Sequence, residues 1–395
     1  MNPFLKEAQE LQERLVQDRR WLHAHPEVGG TLPETVAYVK KRLLELHCTP
    51  EEICDSGLVV LLGGKKEGPC ILLRADMDAL PMKEETGLPF ASENGCAHSC
   101  GHDMHTAMLL GVAALLKAHE DELRGTVKLM FQPGEEVFLG AERMLQAGVL
   151  ENPKVDAAIT LHVNGLAPFP SGTLSIADAG AALASCDSYR ITVHGKGGHG
   201  AYPSQTIDPI AVAAHILVAL QQINARELGS KDTAVLTQGS FHSGKAPNII
   251  PDTAVIEGTL RTFDEQVRQR CLKRMEAILT GVGAALQADV DFTVLGGCSP
   301  LYNDAAVRAD ALRYFRELVG EAGVAEKHGE PGMASEDFGN VLARVPGIQV
   351  GLAVNSAAEG AQYPMHNPKV LLKEEPLYIG TAAMAYLAKR WLEEH

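Results

Sequence analysis

Three apolar, β-rich runs in this chain each end in side chains that are costly to bury. Residues 70–78 read CILLRADMD, residues 126–136 read TVKLMFQPGEE, and residues 157–163 read AAITLHV. Helical patterns separate them, which is the signature of an α/β sheet. A carboxylate or imidazole at the end of a buried strand loses its hydration unless it is paired or coordinates an ion. Open α/β sheets build their sites at the carboxyl ends of strands. The repetition therefore predicts one site assembled from Asp76 and Asp78, Glu135 and Glu136, and His162. Asp76 and Asp78 share a face, because strand side chains repeat every two residues. The adjacent glutamates point in different directions, so one can hold a metal ion while the other faces substrate as a base. Residues 58–62 form a further apolar run, and the turn sequence GGKKEGP predicts that they pair with 70–78 as neighbouring strands.

Between the first two of these strand ends lies AHSCGHDMHTAMLLG, residues 97–111. Its polar half packs three histidines, a cysteine and an aspartate between His98 and His105. An apolar helical pattern follows. Cys100 and His102 can face one metal ion, and thiolate sulfur and imidazole nitrogen are the usual ligands of zinc and its neighbours. The plainer reading of His98 and His105 is that they cap the helix or face solvent. His23 and His25 lie in HAHPEVGG, between amphipathic helices at 11–22 and 33–46, and read as loop-shaping residues. His366, in the proline-flanked YPMHNP, is a further candidate ligand in a fixed loop.

At 395 residues the chain exceeds one typical core, so two domains are expected. From residue 186 the pattern becomes β-α-β-β-α-β, the ferredoxin-like order. The expected bounds are an inserted domain at 186–296 within a first domain of 1–185 and 297–395. In the insert, GKGGHGAYP holds His199 and GKAPNIIPD holds Asn248. GTLRTF holds Arg261, whose guanidinium can clamp a carboxylate. A net charge of −15 argues against nucleic acid and anionic membrane as partners. The N-terminal stretch is charged and amphipathic, unlike a signal peptide, and the longest apolar runs are too short to span a bilayer. The eight cysteines are scattered without paired spacing. Together these predict a cytoplasmic protein with reduced thiols.

Taken in order, HAHPEVGG, LRADMDALPM, HSCGHDMHTAMLLG, FQPGEE, LHV, GKGGHGAYP, APNIIPDTA, GTLRTF, MASEDF and MHNP resemble one family. It is the aminoacylase/carboxypeptidase-G clan of dinuclear metallopeptidases. The branch is that of hippurate hydrolase, the plant auxin-conjugate hydrolases and bacterial N-acyl-amino-acid deacetylases. The resemblance covers nearly the whole chain. It implies a mixed-sheet, phosphorylase/hydrolase-like α/β catalytic domain with an inserted ferredoxin-like α+β lid and dimerisation domain. It implies two divalent ions (manganese, zinc, cobalt or nickel) held by Cys100, His102, Glu136, His162 and His366. The general base falls on Glu135, and the substrate-facing histidine of the insert falls on His199. Contacts to the substrate carboxylate fall on Asn248 and Arg261. Where the wider clan has a His-x-Asp ligand motif, this chain has Asp76-Met77-Asp78. The Cys-Gly-His loop is taken to replace the missing histidine, with Asp78 orienting a ligand.

Residues and resemblance agree on an amidohydrolase that cleaves N-acyl (acetyl, benzoyl or similar) amino acids to a carboxylic acid and a free amino acid. A dipeptidase or carboxypeptidase would use the same machinery, and a non-catalytic ligand-binding relative would keep the metal ligands. Glu135 argues for an enzyme, since a binding protein has no need of a second carboxylate beside a ligand. The candidate ligands all fall in the first domain, and His199, Asn248 and Arg261 fall in the insert. The expectation is a lid that also carries the contact of a homodimer. Whether His199 acts within its own subunit or across the dimer stays open at this point.

Overall fold

The computed structural model describes residues 2–395, in two compact units. The first comprises the chain up to Ala182, Tyr302–Glu330 and Asn340–His395; the second comprises Leu183–Leu301 and Pro331–Gly339.

Helices α1 (Pro3–Glu10), α2 (Gln12–Ala24) and α3 (Pro33–Glu45) open the first unit. The Asn2 side-chain oxygen caps α1 by accepting the Phe4 N–H at 3.0 Å, and Pro3 sits where no donor is needed. Next come strands β1 (Glu51–Cys54), β2 (Gly57–Gly63) and β3 (Cys70–Asp76), then α4 (His102–Ala118) and β4 (Thr126–Gln132). Helix α5 (Gly140–Gln146), β5 (Ala157–Asn164) and β6 (Leu174–Ala177) follow. The second unit holds β7 (Cys186–His194), α6 (Pro209–Gln222), β8 (Ala234–Ser243), β9 (Thr253–Thr262), α7 (Glu265–Ala285) and β10 (Asp289–Cys298). The first unit is completed by α8 (Ala305–Val319), β11 (Val324–Lys327), β12 (Gly347–Ala353) and α9 (Leu377–Glu394).

The main sheet runs in the order β1-β2-β4-β3-β5-β12-β6-β11. Its centre, β4, β3, β5 and β12, is parallel, while β1, β2 and β6 add antiparallel contacts, so the sheet is mixed. Strand β3 is buried at every position, as a strand covered on both faces must be. The expected pairing of residues 58–62 with 70–78 does not form. Strand β4 lies between them, antiparallel to β2 and parallel to β3. The turn that looked like a hairpin instead wraps the start of β4. Gly64 donates its N–H to Gly125 O at 2.7 Å, and Thr126 donates to Pro69 O at 2.9 Å. In this arrangement β3, buried at every position, gains neighbours on both edges, while β2, with Leu61 exposed, lies further out.

Helix α4 is buried along most of its length, against α2 and α9. Gly111 permits the close approach, since a Cβ there would lie 2.5 Å from Leu15 Cδ2 and 2.8 Å from Thr381 Cγ2.

In the second unit the strands form an antiparallel sheet in the order β8-β9-β7-β10. With the first and third strands central, this is the ferredoxin-like arrangement. Tyr189, Ile191 and Val193 of β7 share one core with Val212 and Ile216 of α6 and Cys271 and Met275 of α7. Asp208 caps α6 through the Ile210 N–H, and Asp264 caps α7 through the Val267 N–H. The segment Pro331–Gly339, which holds MASEDF, groups with this unit and not with the first. Arg261 ties it down, donating to Met333 O at 3.0 Å and to Ser335 Oγ at 2.6 Å.

Candidate metal centre

The parallel strands β3, β4 and β5 deliver their carboxyl ends to one place. The loop before α4 meets them there. It ends at Gly101, whose φ of 83° is the left-handed conformation glycine tolerates. A Cβ on Gly101 would lie 2.4 Å from Val163 Cγ2, so only glycine lets the loop press against the end of β5. Cys100 and His102 flank that contact. Cys100 Sγ lies 3.5 Å from His162 Nε2 and 3.1 Å from His366 Nε2. His366 Nε2 lies 3.3 Å from Glu136 Oε1, and His102 Nε2 lies 3.9 Å from the same oxygen. His366 itself sits at φ 63°, a backbone state that a non-glycine residue rarely adopts, and its N–H is held by Ser99 O at 3.0 Å.

Two groups of three donors share the Cys100 sulfur. One is Cys100, His102 and His162; the other is Cys100, Glu136 and His366. Within each group the donor atoms lie within 4.8 Å of one another. Both ring nitrogens of His102 and Oε1 of Glu136 are buried without a hydrogen-bond partner. Asp78 Oδ1 at 3.4 Å and Asp76 Oδ2 at 3.6 Å approach the His102 ring as charges, beyond good hydrogen-bond geometry. Buried polar atoms left unmet are destabilising, and a divalent cation satisfies this sulfur, nitrogen and oxygen set. The residues therefore fit a pair of such ions.

The electrostatics agree with that fit. Burial pushes the Cys100 thiol up, but the charges of His102 and His162 beside it bring it down to about 6. The contact with Cys100, and the Glu136 carboxylate beside it, raise His366 to about 10. Burial opposes ionisation of Glu136, yet His366 and His102 hold it below the usual carboxylate range. A low-pKa thiolate is the form that binds metal.

Asp78 lies just past β3 and is fully buried. Its Oδ1 accepts the Glu135 N–H at 3.0 Å, and its Oδ2 accepts the Glu136 N–H at 3.1 Å. One carboxylate thus sets the backbone of the Glu135–Glu136 turn and also faces His102. Burial raises its pKa. Glu135 is buried beside it, and its carboxylate groups with His102 and Glu136.

His98 and His105, expected as helix caps or solvated side chains, are instead buried, at 2% and 3% exposure. The chain enters α4 from inside the protein, so neither ring reaches water. His105 bonds Asp76, and burial keeps His98 neutral, pushed down to about 3. His23 bonds Asp103 and Glu84, while His25 stacks on Trp21 at 4.2 Å, so both shape the structure around α2. In the second unit, Ile249 pairs with His199 across a short two-stranded ladder, and the Gly200 N–H bonds Asn248 O at 2.9 Å. The exposed His199 and Asn248 therefore sit side by side, and Arg261 lies on β9.

A mixed α/β sheet with sulfur, imidazole and carboxylate donors gathered past its parallel strand ends defines a divalent-metal protein of hydrolase type. The model of the peptidase family M20/M25/M40 matches residues 72–390, and the chain belongs to this family. N-acetyl-L-cysteine deacetylase of Bacillus subtilis is 36% identical over 388 residues, covering 98% of this chain and 90% of the relative. Thermostable carboxypeptidase 1 of Saccharolobus solfataricus is 34% identical over 391 residues, covering 98% and 97%. A solved dinuclear metal-binding peptidase of the M20 family from Bacillus subtilis superimposes with a TM-score of 0.79 at 34% identity, covering 98% of this chain and 99% of that one.

Proposed function

We propose that the protein is a metal-dependent amidohydrolase that cleaves N-acyl amino acids to a carboxylic acid and a free amino acid. The observation that carries this reading is a cluster of sulfur, imidazole and carboxylate donors with a further, buried carboxylate, Glu135, set beside it. The names of its relatives support the substrate class, N-acetyl-L-cysteine deacetylase above all. Two divalent cations, when bound by Cys100, His102, Glu136, His162 and His366, would acidify water and polarise the scissile carbonyl.

This chain's own residues then divide the remaining work. Glu135 takes the proton of the attacking water and returns it to the leaving amine. Asp78 holds the Glu135 N–H and so fixes where that carboxylate starts. His199 accepts the Ala201 N–H on Nδ1 at 3.0 Å, which leaves Nε2 to carry the proton and donate to the developing oxyanion. Asn248 and Arg261 serve the substrate carboxylate. A homodimer through the second unit completes the reading. The edge strand β8 and the exposed Val218 of α6, at 73% exposure, support it as a contact surface. Eight free cysteines support a reducing, cytoplasmic setting. Among the described residues, no helix is long and apolar enough to cross a membrane.

The test is a panel of N-acetyl, N-benzoyl and N-indoleacetyl amino acids, together with dipeptides. It is run on metal-free protein reconstituted with manganese, zinc, cobalt or nickel. Turnover of the acylated amino acids is the expected result. Turnover of dipeptides alone would move the protein to the carboxypeptidase reading, which the Saccharolobus relative favours. Metal binding without turnover of any compound would leave a ligand-binding protein.

A further inference from the structure

His105 lies one turn along α4 from His102 and groups with Asp76 and His102 as a buried trio. Both its ring nitrogens are already engaged. Nδ1 lies 2.6 Å from Asp76 Oδ1, and Nε2 accepts the Val163 N–H at 2.9 Å. A backbone N–H can only donate, so Nε2 must carry a lone pair and the ring proton must sit on Nδ1. That proton goes to Asp76, whose other oxygen takes Arg74 Nη1 at 2.6 Å. A chain of hydrogen bonds therefore runs from β3 through α4 to the tip of β5.

The far end of this chain matters most. β3 pairs with β5 only as far as Thr160, while β5 continues to Asn164. The Val163 N–H is held by a side chain, His105, beyond the end of that ladder. The same residue's carbonyl accepts His162 Nδ1 at 2.7 Å. A carbonyl can only accept, so His162 holds its proton on Nδ1 and presents Nε2 as a lone pair, 3.5 Å from Cys100 Sγ. Val163 is thus gripped on its N–H by His105, and its C=O grips His162 in turn.

We infer that His105 is a positioning residue, which through Val163 fixes the tautomer and aim of His162 toward Cys100. The inference rests on His162 being a metal ligand, as proposed above. Outer partners of this kind commonly set ligand orientation and affinity, but here the partner acts through one intervening residue of the main chain.

Two near-isosteric substitutions separate positioning from packing. In His105→Gln the amide oxygen takes the place of Nε2 and can still accept the Val163 N–H. In His105→Asn the amide nitrogen takes the place of Nδ1, which keeps Asp76 satisfied and leaves the Val163 N–H without an acceptor. Zinc and manganese affinities of the full-length protein are measured by chelator competition, with metal-free thermal stability alongside. His105→Asn is expected to weaken one metal position by about 10- to 100-fold, and His105→Gln to restore most of that loss. Equal metal loss in both variants, in step with their thermal stability, would reduce His105 to a packing residue. His162→Ala is the control: it should lose one of two bound ions. If His162→Ala keeps both ions, the ligand assignment fails and the positioning role fails with it. If His162→Ala loses an ion while His105→Asn binds normally, the ligand stands and the positioning role alone is overturned. Should the variants not fold, imidazole nitrogen NMR of the unaltered metal-free protein decides. Nδ1–H tautomers at both His105 and His162 are expected, and an Nε2–H tautomer at His105 would contradict the inference.

Discussion

His102 and Asp103 are neighbours in sequence, yet the first turn of α4 sends them into two different charge clusters. Asp103 Oδ2 accepts Arg19 Nε and His23 Nδ1, each at 2.8 Å. Arg19 reaches on to Glu374 at 3.1 Å, and His23 to Glu84 at 3.0 Å. Burial would raise the Asp103 carboxyl, but Arg19 and His23 hold it far below its usual range. A guanidinium never gives up its proton in a protein, so this cluster carries its own permanent counter-charge. On the other side of the turn, the positive partners beside Cys100 and Glu136 are the imidazoles of His102, His162 and His366. Histidines can release their protons and offer lone pairs instead. The first arrangement is a fastening between α2, α4 and the loops around them, and the second is a place for cations. What separates them is the kind of positive charge beside each carboxylate or thiolate, a guanidinium in the first and imidazoles in the second.

The comparison can be broken or sharpened in several ways, the largest effect first. Glu135→Gln should keep fold and metal content but lose about 10²- to 10⁴-fold in kcat, because the amide cannot take the water's proton. Metal-loaded Glu135→Gln with ordinary kcat would remove Glu135 as the base. Arg19→Met leaves Asp103 buried beside a histidine alone. Denaturant unfolding should show a loss of about 3–5 kcal/mol, with metal stoichiometry per folded chain unchanged. A metal defect without a stability defect would reverse the roles given to the two clusters. Cys100→Ser should do the converse, lowering metal affinity at least about tenfold with a smaller loss of metal-free stability than Arg19→Met. Unchanged metal content in Cys100→Ser would make the cysteine a packing residue.

The smallest effect concerns pH. Burial opposes it, but hydrogen bonds with Asp103 and Glu84 raise His23 above its ordinary 6.5. Stability from such a group is fully present below 6.5 and is lost as pH rises through the folded value. Burial also works against ionised Glu84, yet His23 and Thr86 bring it down to about 2. Its contribution is present above 4.5 and is lost only as pH falls toward 2. The stability difference between the unaltered protein and His23→Gln should therefore be widest between 4.5 and 6.5. It should narrow on the alkaline side, as His23 loses its proton. A difference that stays flat across that range would leave His23 with no charged role in the fastening.

What could be read from the sequence follows from what each signal measures. The ends of β3, β4 and β5 stood out because a continuous apolar run followed by Asp, Glu or His is legible within one segment. The pairing of β2 with β3 was misread because a Gly- and Pro-rich turn specifies a reversal of the chain, and not which strand fills the gap beside it. In the sequence His105 reads as a helix cap or a solvated side chain, and Asp103 as one more polar residue of the loop. Their partners lie far off in sequence, with Val163 58 residues from His105 and Arg19 84 residues from Asp103. No periodicity within α4 carries that information. One signal was present: a helix whose polar residues fall on the same faces as its apolar ones must bury them, and buried charges require partners.

The shared thiolate is the most direct point of attack. The protein loaded with two zinc ions per chain can be examined by X-ray absorption, which counts sulfur neighbours at the metal. If Cys100 serves both positions, the average should be about one sulfur per zinc, at about 2.3 Å. An average near one half would confine Cys100 to a single ion, and an environment of nitrogen and oxygen alone would take it out of the centre.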